Sequence, residues 1–324
     1  MATKEAAKET VKDGTRKRAP ASARIREPLR FLWRCIDKFF GDGCSTMAAA
    51  LSYATFFSLP ALLSLILLLV GAVMDPAEIQ RAILTQAGTL IGRAGAEQIG
   101  TILQHARRVD VNKGVAALLS GIAVLIGASA SFGSLQGALN KVWGVKPDPR
   151  RGQIRNFLAK RIFSFGVVIG VAFLLLASLA LSAFLGAVGQ RITRILGIPE
   201  ALLQFTDWAI SFAILSGLFA GMYKLLPDAR IVWRDVWVGA VATAFLFTVG
   251  KTIIGFYLGG ADPGSAFGAA GSMAVVMIWI YYTSMIVLFG AEVTRVWTEW
   301  YGAGVRPEKG AVEVVETERT VQAG

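Results

Sequence analysis

The chain has 324 residues, of which 54% are hydrophobic and only 17% charged, and its mean hydropathy is +0.56. A soluble domain carries roughly a quarter charged residues, so this composition excludes an ordinary soluble protein. The net charge of +11 is accompanied by no nucleic-acid-binding module or aromatic stacking platform in the sequence, and nucleic acid is therefore not an expected partner.

The N-terminal 46 residues contain two different segments. Residues 1–27 are rich in Lys, Arg, Ala, Thr and Glu with almost no large apolar side chains, which predicts a disordered basic tail. Residues 28–46 predict an amphipathic helix in the membrane interface, whose cations suit anionic lipid headgroups as partners. Its apolar face consists of Leu29, Leu32, Trp33, Ile36, Phe39 and Phe40, and its cations are Arg30, Arg34 and Lys38.

Six apolar runs follow, each long enough to cross a membrane. A hydrocarbon core about 30 Å thick needs a helix of about 20 residues, and a helix pairs its backbone polar groups internally. The predicted spans are residues 47–74, 114–139, 162–188, 208–226, 236–258 and 272–293. The expected fold is an all-α integral membrane protein, with a six-helix domain over residues 47–299 and a disordered cytoplasmic tail over residues 300–324.

Lysine and arginine are distributed unequally between alternate loops. Residues 1–46, 140–161 and 224–235 and the tail from Arg295 together hold 25 of the 33 cations. The intervening segments 75–113 and 187–207 hold seven. Because cytoplasmic loops carry the excess of cations, we expect both termini in the cytoplasm. Cys35 and Cys44 then lie on the reducing side and are expected to be free thiols.

The segment 75–113 is the largest predicted external loop. Asp75, Pro76 and Glu78 form a helix-start pattern of cap residue, proline in the first turn and acid three residues after the cap. Apolar residues then recur at helical spacing from Ile79 to Leu103 and predict one or two amphipathic helices. These helices lie on the outer membrane surface or cover the bundle, either as simple packing or as a lid over a cavity.

Short motifs in a fixed order carry a resemblance to a known family. They are residues 51–53 (LSY), 58–60 (SLP), 138–143 (ALNKVW), 223–228 (YKLLPD), 233–235 (WRD), 239–240 (GA), 250–251 (GK), 257 (Y), 265–271 (SAFGAAG), 279–281 (WIY) and 289–292 (FGAE). Over residues 30–300 the chain resembles the YihY/BrkB family of bacterial inner-membrane proteins, once labelled ribonuclease BN.

The resemblance implies a six-helix protein of the bacterial inner membrane, without a settled activity. Transport or export is the activity suggested for the family, with links to envelope lipid and serum resistance. We therefore expect a permease or a lipid-handling protein of the cell envelope. The alternative is a non-transporting membrane scaffold or envelope-assembly factor, which needs no cavity. The chain is also a candidate for assembly into a homo-oligomer.

Catalytic patterns are missing from the sequence. Metal-dependent nucleases need several His and Asp ligands, and this chain has a single histidine, His105. The stretch 250–252 (GKT) lacks the first glycine of a phosphate-binding loop, since residue 245 is Phe. Ser265 stands one place too early within residues 264–268 (GSAFG) for a nucleophile elbow. We therefore expect no enzyme activity, no metal and no cofactor.

Lys251 is a charged residue predicted to lie deep within an apolar span. It is about 20 Å from the cytoplasmic end of the fifth span, where a charge costs about 3 kcal/mol or more unless it is paired or hydrated. Glu292 is expected about 15–20 Å away, near the cytoplasmic end of the sixth span. Arg295, three residues further on, is the expected ion-pair partner of Glu292. Lys251 therefore faces a polar, water-filled cavity or makes a purely structural polar contact.

Four further residues from the resembling motifs join Lys251 as candidate polar, cavity or gating residues: Asn140, Tyr53, Pro60 and Tyr257. Pro60 lies inside the first span and is expected to kink that helix unless neighbouring groups satisfy the freed carbonyl. The sequence assigns no catalytic residue.

Overall fold

The computed structural model describes residues 21–70, 75–107, 130–148, 200–260, 270–308 and 310–314. The helices of these residues are α1 (Ala21–Gly41), α2 (Cys44–Val70), α3 (Pro76–Arg107), α4 (residues 130–142), α5 (Glu200–Leu225), α6 (Trp233–Gly260) and α7 (Gly271–Tyr301). The strands are β1 (Val145–Pro147), β2 (Ala229–Arg230), β3 (Arg306–Pro307) and β4 (Ala311–Glu313).

Four of the described helices contain a stretch long and apolar enough to cross a membrane. The stretches are Cys44–Ser64, Trp208–Leu225, Trp233–Tyr257 and Gly271–Tyr301, and they correspond to the first, fourth, fifth and sixth predicted spans. The predicted third span (162–188) and most of the second (114–139) lie outside the described residues. The count of six spans therefore stays a prediction.

α1 begins at Ala21, within the segment 1–27 for which the composition predicts a disordered tail. Residues 21–27 (ASARIRE) include strong helix formers, which favour continuation of the helix in this direction. One face of α1 packs on α7, with Phe31 against Trp297 and Phe39 against Phe289. A second face exposes Leu29, Leu32, Trp33 and Phe40, and a third exposes Arg30, Arg34 and Asp37.

α7 is the central helix of the described bundle, in contact with α1, α2, α3 and α6. It crosses α6 closely because Gly239 and Gly290 leave room for the threonines of the partner helix, Thr294 and Thr243. The Tyr223 hydroxyl, from α5, donates to the Val287 carbonyl at 2.6 Å and lies 2.8 Å from Thr243 Oγ1. Three helices are thus joined at one buried polar point.

α3 begins with the predicted cap, since the Ala77 N–H donates to Asp75 Oδ1 at 2.8 Å. It bends at Gly92, whose φ of 72° lies in the left-handed region that favours glycine. The helix packs on α2 and on the N-terminal half of α7, where the Ser272 hydroxyl donates to Gln98 Oε1 at 2.9 Å. α3 therefore covers one end of the described bundle.

The segment after α7 returns across the opposite end of the bundle. β4 pairs antiparallel with β1, and β3 pairs antiparallel with β2. Both tail strands lie within residues 300–324, for which the composition predicts a disordered tail. The polar composition of this segment suggested disorder. Backbone hydrogen bonds to β1 and β2 nevertheless order it, although it contributes little to an apolar core. This pairing places both loops and the tail at one end, the arrangement that the loop charges predict.

Candidate functional site

Three ionisable residues follow one another along one face of the last turns of α7. Glu292, Arg295 and Glu299 are separated by three and four residues, which places them in a row on a helix. They face the corner between α1 and α2, where Asp42 and Gly43 connect the two helices. Gly43 has a φ of 70°, which a glycine adopts at little cost, so the corner can be tight.

Arg295 holds this corner in place. Its Nη1 lies 2.6 Å from Asp42 Oδ2 and also donates to the Val142 carbonyl at the end of α4. Its Nε donates to Glu299 Oε1 at 3.1 Å, and Lys38 Nζ of α1 lies 3.4 Å from the same oxygen. We call Lys38, Asp42, Arg295 and Glu299 the Arg295 cluster.

The predicted ion pair between Glu292 and Arg295 is wrong. Among the described residues, Arg295 pairs with Asp42 and Glu299 instead. A spacing of three residues on one helix allows contact, but a spacing of four is equally close and Asp42 approaches from another helix. The guanidinium of Arg295 thus lies against Asp42 of the corner and Glu299 of the next helical turn.

Glu292 is fully buried. Its Oε1 accepts a weak hydrogen bond from the Cys44 thiol at 3.6 Å, and its Oε2 has no hydrogen-bond partner among the described residues. Arg295, Asp42 and Lys38 are the charged groups close enough to act on it electrostatically. A carboxyl in this position is unusual, because buried polar groups are nearly always paired.

Cys35 and Cys44 are buried beside Glu292 and are free thiols, as predicted. Burial raises the pKa of Cys35 to about 12, and the nearby Glu292 carboxyl raises it further. A thiol reacts as the thiolate, so Cys35 is inert at neutral pH. The two cysteines therefore pack around the carboxyl as small, weakly polar neighbours.

Asn140 makes two hydrogen bonds with the loop that follows α5, and its predicted place in a polar cavity stays a prediction. Its Nδ2 donates to Asp228 Oδ2 at 2.8 Å, and its Oδ1 accepts the Asp228 N–H at 2.8 Å. Gln136 Nε2 lies 3.4 Å from Asp228 Oδ1. Asn140 thus fixes the loop between α5 and α6 to α4, on the end of the bundle that carries β2 and β3.

Asn140→Asp is expected to destabilise the protein by about 2 kcal/mol at neutral pH, because it removes a donor and places two carboxylates together. Thermal unfolding in detergent measures the loss. Protonation of either carboxyl relieves the repulsion, so the difference from wild type should shrink as the pH falls from 7 toward about 4. A difference that does not change with pH would contradict a direct contact between these two groups.

Lys251, Tyr53 and Tyr257 have exposed side chains in the described structure. Lys251 makes no ion pair or hydrogen bond with another described residue, so its predicted polar contact stays a prediction. Gly250, beside it, faces the hydroxyl of Tyr282, ten residues before Glu292. At the rise of a helix, those ten residues place Lys251 and Glu292 about 15 Å apart along the bundle.

Pro60 is also exposed, and α2 continues as one helix from Cys44 to Val70 through this residue. The Ser64 hydroxyl donates to the Pro60 carbonyl at 2.7 Å. The helix therefore accommodates the proline without ending.

Two grooves flank α1. The inner groove, about 280 Å³, is lined by Ile36, Phe39, Phe40, Leu246, Tyr282, Met285, Ile286 and Phe289. The outer groove, about 840 Å³, is lined by Leu29, Arg30, Leu32, Trp33, Arg34, Ile36, Asp37 and Trp300. Ile36 lines both. The sequence pattern identified the α1 residues, but no periodicity indicated that Tyr282, Phe289 and Trp300 lie opposite them.

Comparison with known proteins gives a family model described as "Virulence factor BrkB" that matches residues 35–313. A "UPF0761 membrane protein" of Psychromonas ingrahamii is 28% identical over 283 residues, covering 84% of this chain and 88% of that protein. A "UPF0761 membrane protein" of Nitrosospira multiformis is 26% identical over 280 residues, covering 84% of this chain and 62% of that protein. No solved structure matches.

A protein of Bacillus subtilis, YfkH, is named as ribonuclease-like and is 26% identical over 176 residues, which cover 53% of this chain and 62% of that protein. This chain thus spans less than two thirds of the length of the Nitrosospira and Bacillus proteins. Among the described residues, no group of three His, Cys, Asp or Glu side chains is arranged to hold a metal ion.

Proposed function

We propose that this chain, which belongs to the BrkB family of membrane proteins, is a lipid-handling protein of the bacterial inner membrane. Its ligand in this proposal is an anionic phospholipid of the cytoplasmic leaflet, bound along α1. The observation that carries the proposal is the apolar inner groove, which shares Ile36 with an outer groove that contains two arginines.

The inner groove suits an acyl chain. On α7 it extends over two helical turns from Tyr282 to Phe289, which is about 10 Å. The hydrocarbon core is about 30 Å thick, so one leaflet is about 15 Å, and the groove is long enough to cover most of that depth. Its remaining side chains are apolar and come from α1, α6 and α7, so a hydrocarbon chain meets hydrocarbon along the whole groove.

The outer groove suits an anionic headgroup. Arg34 pairs loosely with Asp37 at 3.9 Å, whereas Arg30 has no ion-pair partner among the described residues. Trp33 and Trp300, both exposed, flank these cations with the amphipathic rings that favour a membrane interface. The net charge of the groove side chains is positive, which complements a phosphate.

The distribution of cations between the loops supports the leaflet assignment. α1 lies at the end of the bundle that holds the cation-rich loops, and the corner at Asp42 contacts Arg295 there. Under the positive-inside rule, this end faces the cytoplasm, where anionic lipids attract basic segments by about 1 kcal/mol per cation.

Retention of phospholipids by the purified full-length protein tests the proposal. Native mass spectrometry should show preferential retention of phosphatidylglycerol over phosphatidylcholine, and Arg30→Gln with Arg34→Gln should reduce that preference by about tenfold. The matched control is Arg81→Gln with Arg93→Gln, two exposed arginines of α3 at the other end of the bundle. Equal retention of both lipids by wild type, or an equal loss in both double variants, would contradict the proposed site.

Liposomes containing labelled lipid then separate two kinds of lipid handling. Movement of phosphatidylglycerol between leaflets in the wild type, reduced in the Arg30/Arg34 variant, is expected of a permease. Retention without movement is expected of a lipid-binding scaffold.

A further inference from the structure

We propose that Glu292 is a proton-binding site, kept protonated by the ion pairs that hold Arg295 away from it. The proposal does not depend on lipid binding. It starts from a carboxyl that is fully buried within an apolar helix and has one oxygen without a partner among the described residues. Ionisable groups inside membrane-spanning helices are rare and are candidates for functional sites.

The charges around Glu292 are already balanced without it. In the Arg295 cluster, two cations and two carboxylates pair with one another, Arg295 with Asp42 and Glu299, and Lys38 with Glu299. An ionised Glu292 adds a buried negative charge beside Asp42, which is itself an anion. Two neighbouring carboxyl groups disfavour simultaneous ionisation. Asp42 forms the ion pair with Arg295, so the negative charge is more stable on Asp42 than on Glu292. The proton therefore belongs on Glu292.

The remaining titratable neighbours do not supply a counter-charge. Cys35 of α1 and Cys44 of α2 are buried thiols, and a thiol in such surroundings stays neutral. Lys141 of α4 is exposed, with its ammonium beside Gly43 at the corner. Removal of the proton from Glu292 is thus expected to draw Arg295 from Asp42, which loosens the corner between α1 and α2.

A route for the proton exists on the same side of the bundle. The side chains of Asp42 and Glu299 are 28% and 35% exposed, so solvent reaches the Arg295 cluster while Glu292 lies beneath it. Proton exchange at Glu292 consequently needs a small movement of the cluster and no opening of the whole bundle.

Chemical labelling tests the proposal on the full chain in detergent. Dicyclohexylcarbodiimide adds to protonated carboxyls in apolar surroundings, and peptide mass spectrometry should find it on Glu292 at neutral pH. Glu299, half-exposed and ion-paired on the same helix, is the internal control and should stay unmodified. Glu292→Gln, which keeps the shape of the neutral acid, should remain folded by size-exclusion chromatography and lose the label.

Asp42→Asn gives a second test of the same labelling, because loss of the Asp42 charge leaves Arg295 free to pair with Glu292. Labelling of Glu292 should then fall by about tenfold at neutral pH. Infrared difference spectra between wild type and Glu292→Gln report the protonated carboxyl directly, without requiring dicyclohexylcarbodiimide to reach Glu292. A protonated-carboxyl band that disappears in the variant is expected. Absence of that band at neutral pH, or undiminished labelling in folded Asp42→Asn, would overturn the proposal.

Discussion

Gly290→Ala is expected to destabilise the bundle by about 2 kcal/mol or more. A β-carbon at residue 290 would lie 1.7 Å from Thr243 Oγ1 and 2.6 Å from the Tyr223 hydroxyl. Both of these side chains are fully buried, so neither can move into free space. The helices α6 and α7 must separate, and the hydrogen bond from Tyr223 to the Val287 carbonyl is then stretched.

Two opposing effects decide the sign of this change. Alanine is a better helix former than glycine by about 1 kcal/mol, which favours the variant. Overpacking a close helix crossing typically costs 1–3 kcal/mol and outweighs that gain. Gly255→Ala on α6 is the matched control, because no described atom lies within 4 Å of its added methyl group. It should be neutral or slightly stabilising.

The stability of both variants is measured by heating the purified protein in detergent. The fraction that remains monodisperse on size-exclusion chromatography gives the unfolding temperature. Thr243→Ala in the Gly290→Ala background removes the nearest atom and should recover part of the loss. Equal stability of Gly290→Ala and Gly255→Ala would contradict a close crossing at Gly290.

Arg295→Met is expected to cost about 2 kcal/mol, since it leaves Asp42 without its cation and the Val142 carbonyl without a donor. A fully buried pair would lose 3–5 kcal/mol, and partial exposure of the Arg295 side chain reduces that figure through solvent screening. Limited proteolysis should also cut faster near the corner between α1 and α2, because Asp42 no longer ties it to α7.

Arg93→Met is the matched control for this change. Arg93 pairs with Glu97 at 3.0 Å, but its side chain is 93% exposed, and exposed pairs of this kind contribute little. The two variants remove the same charge from the chain, so net charge cannot explain a difference between them. Similar unfolding temperatures for both would show that the Arg295 cluster does not stabilise the corner.

Local signals in the sequence predicted the four membrane-length helices of the described residues, and interactions between distant residues were predicted poorly. Asp75 caps α3 because a helix start is encoded within four residues. The partner of Arg295 was missed because Asp42 is distant in sequence and no periodicity connects them. Amphipathic spacing found the α1 side of the grooves, whereas Tyr282 and Trp300 lie opposite by tertiary packing alone.

The tail strands were missed for a related reason. Residues 306–313 (RPEKGAVE) have a composition typical of exposed loops, and strand formation there depends on edges supplied by β1 and β2. Glu292 was predicted as the partner of Arg295, but the environment of its carboxyl depends on how α1 and α2 pack against α7. The position of a residue along a helix can be counted from the sequence, but the side chain it contacts on another helix cannot.

The pairing of β1 with β4 also dictates an order of events during biosynthesis. Val145 pairs with Glu313, half the chain length away, so the ribosome finishes α7 before either strand of this sheet has its partner. Until then, the loop edges at β1 and β2 present unpaired backbone groups to the cytosol under the orientation proposed above. A nascent or truncated chain without β3 and β4 therefore differs from a finished one at this surface.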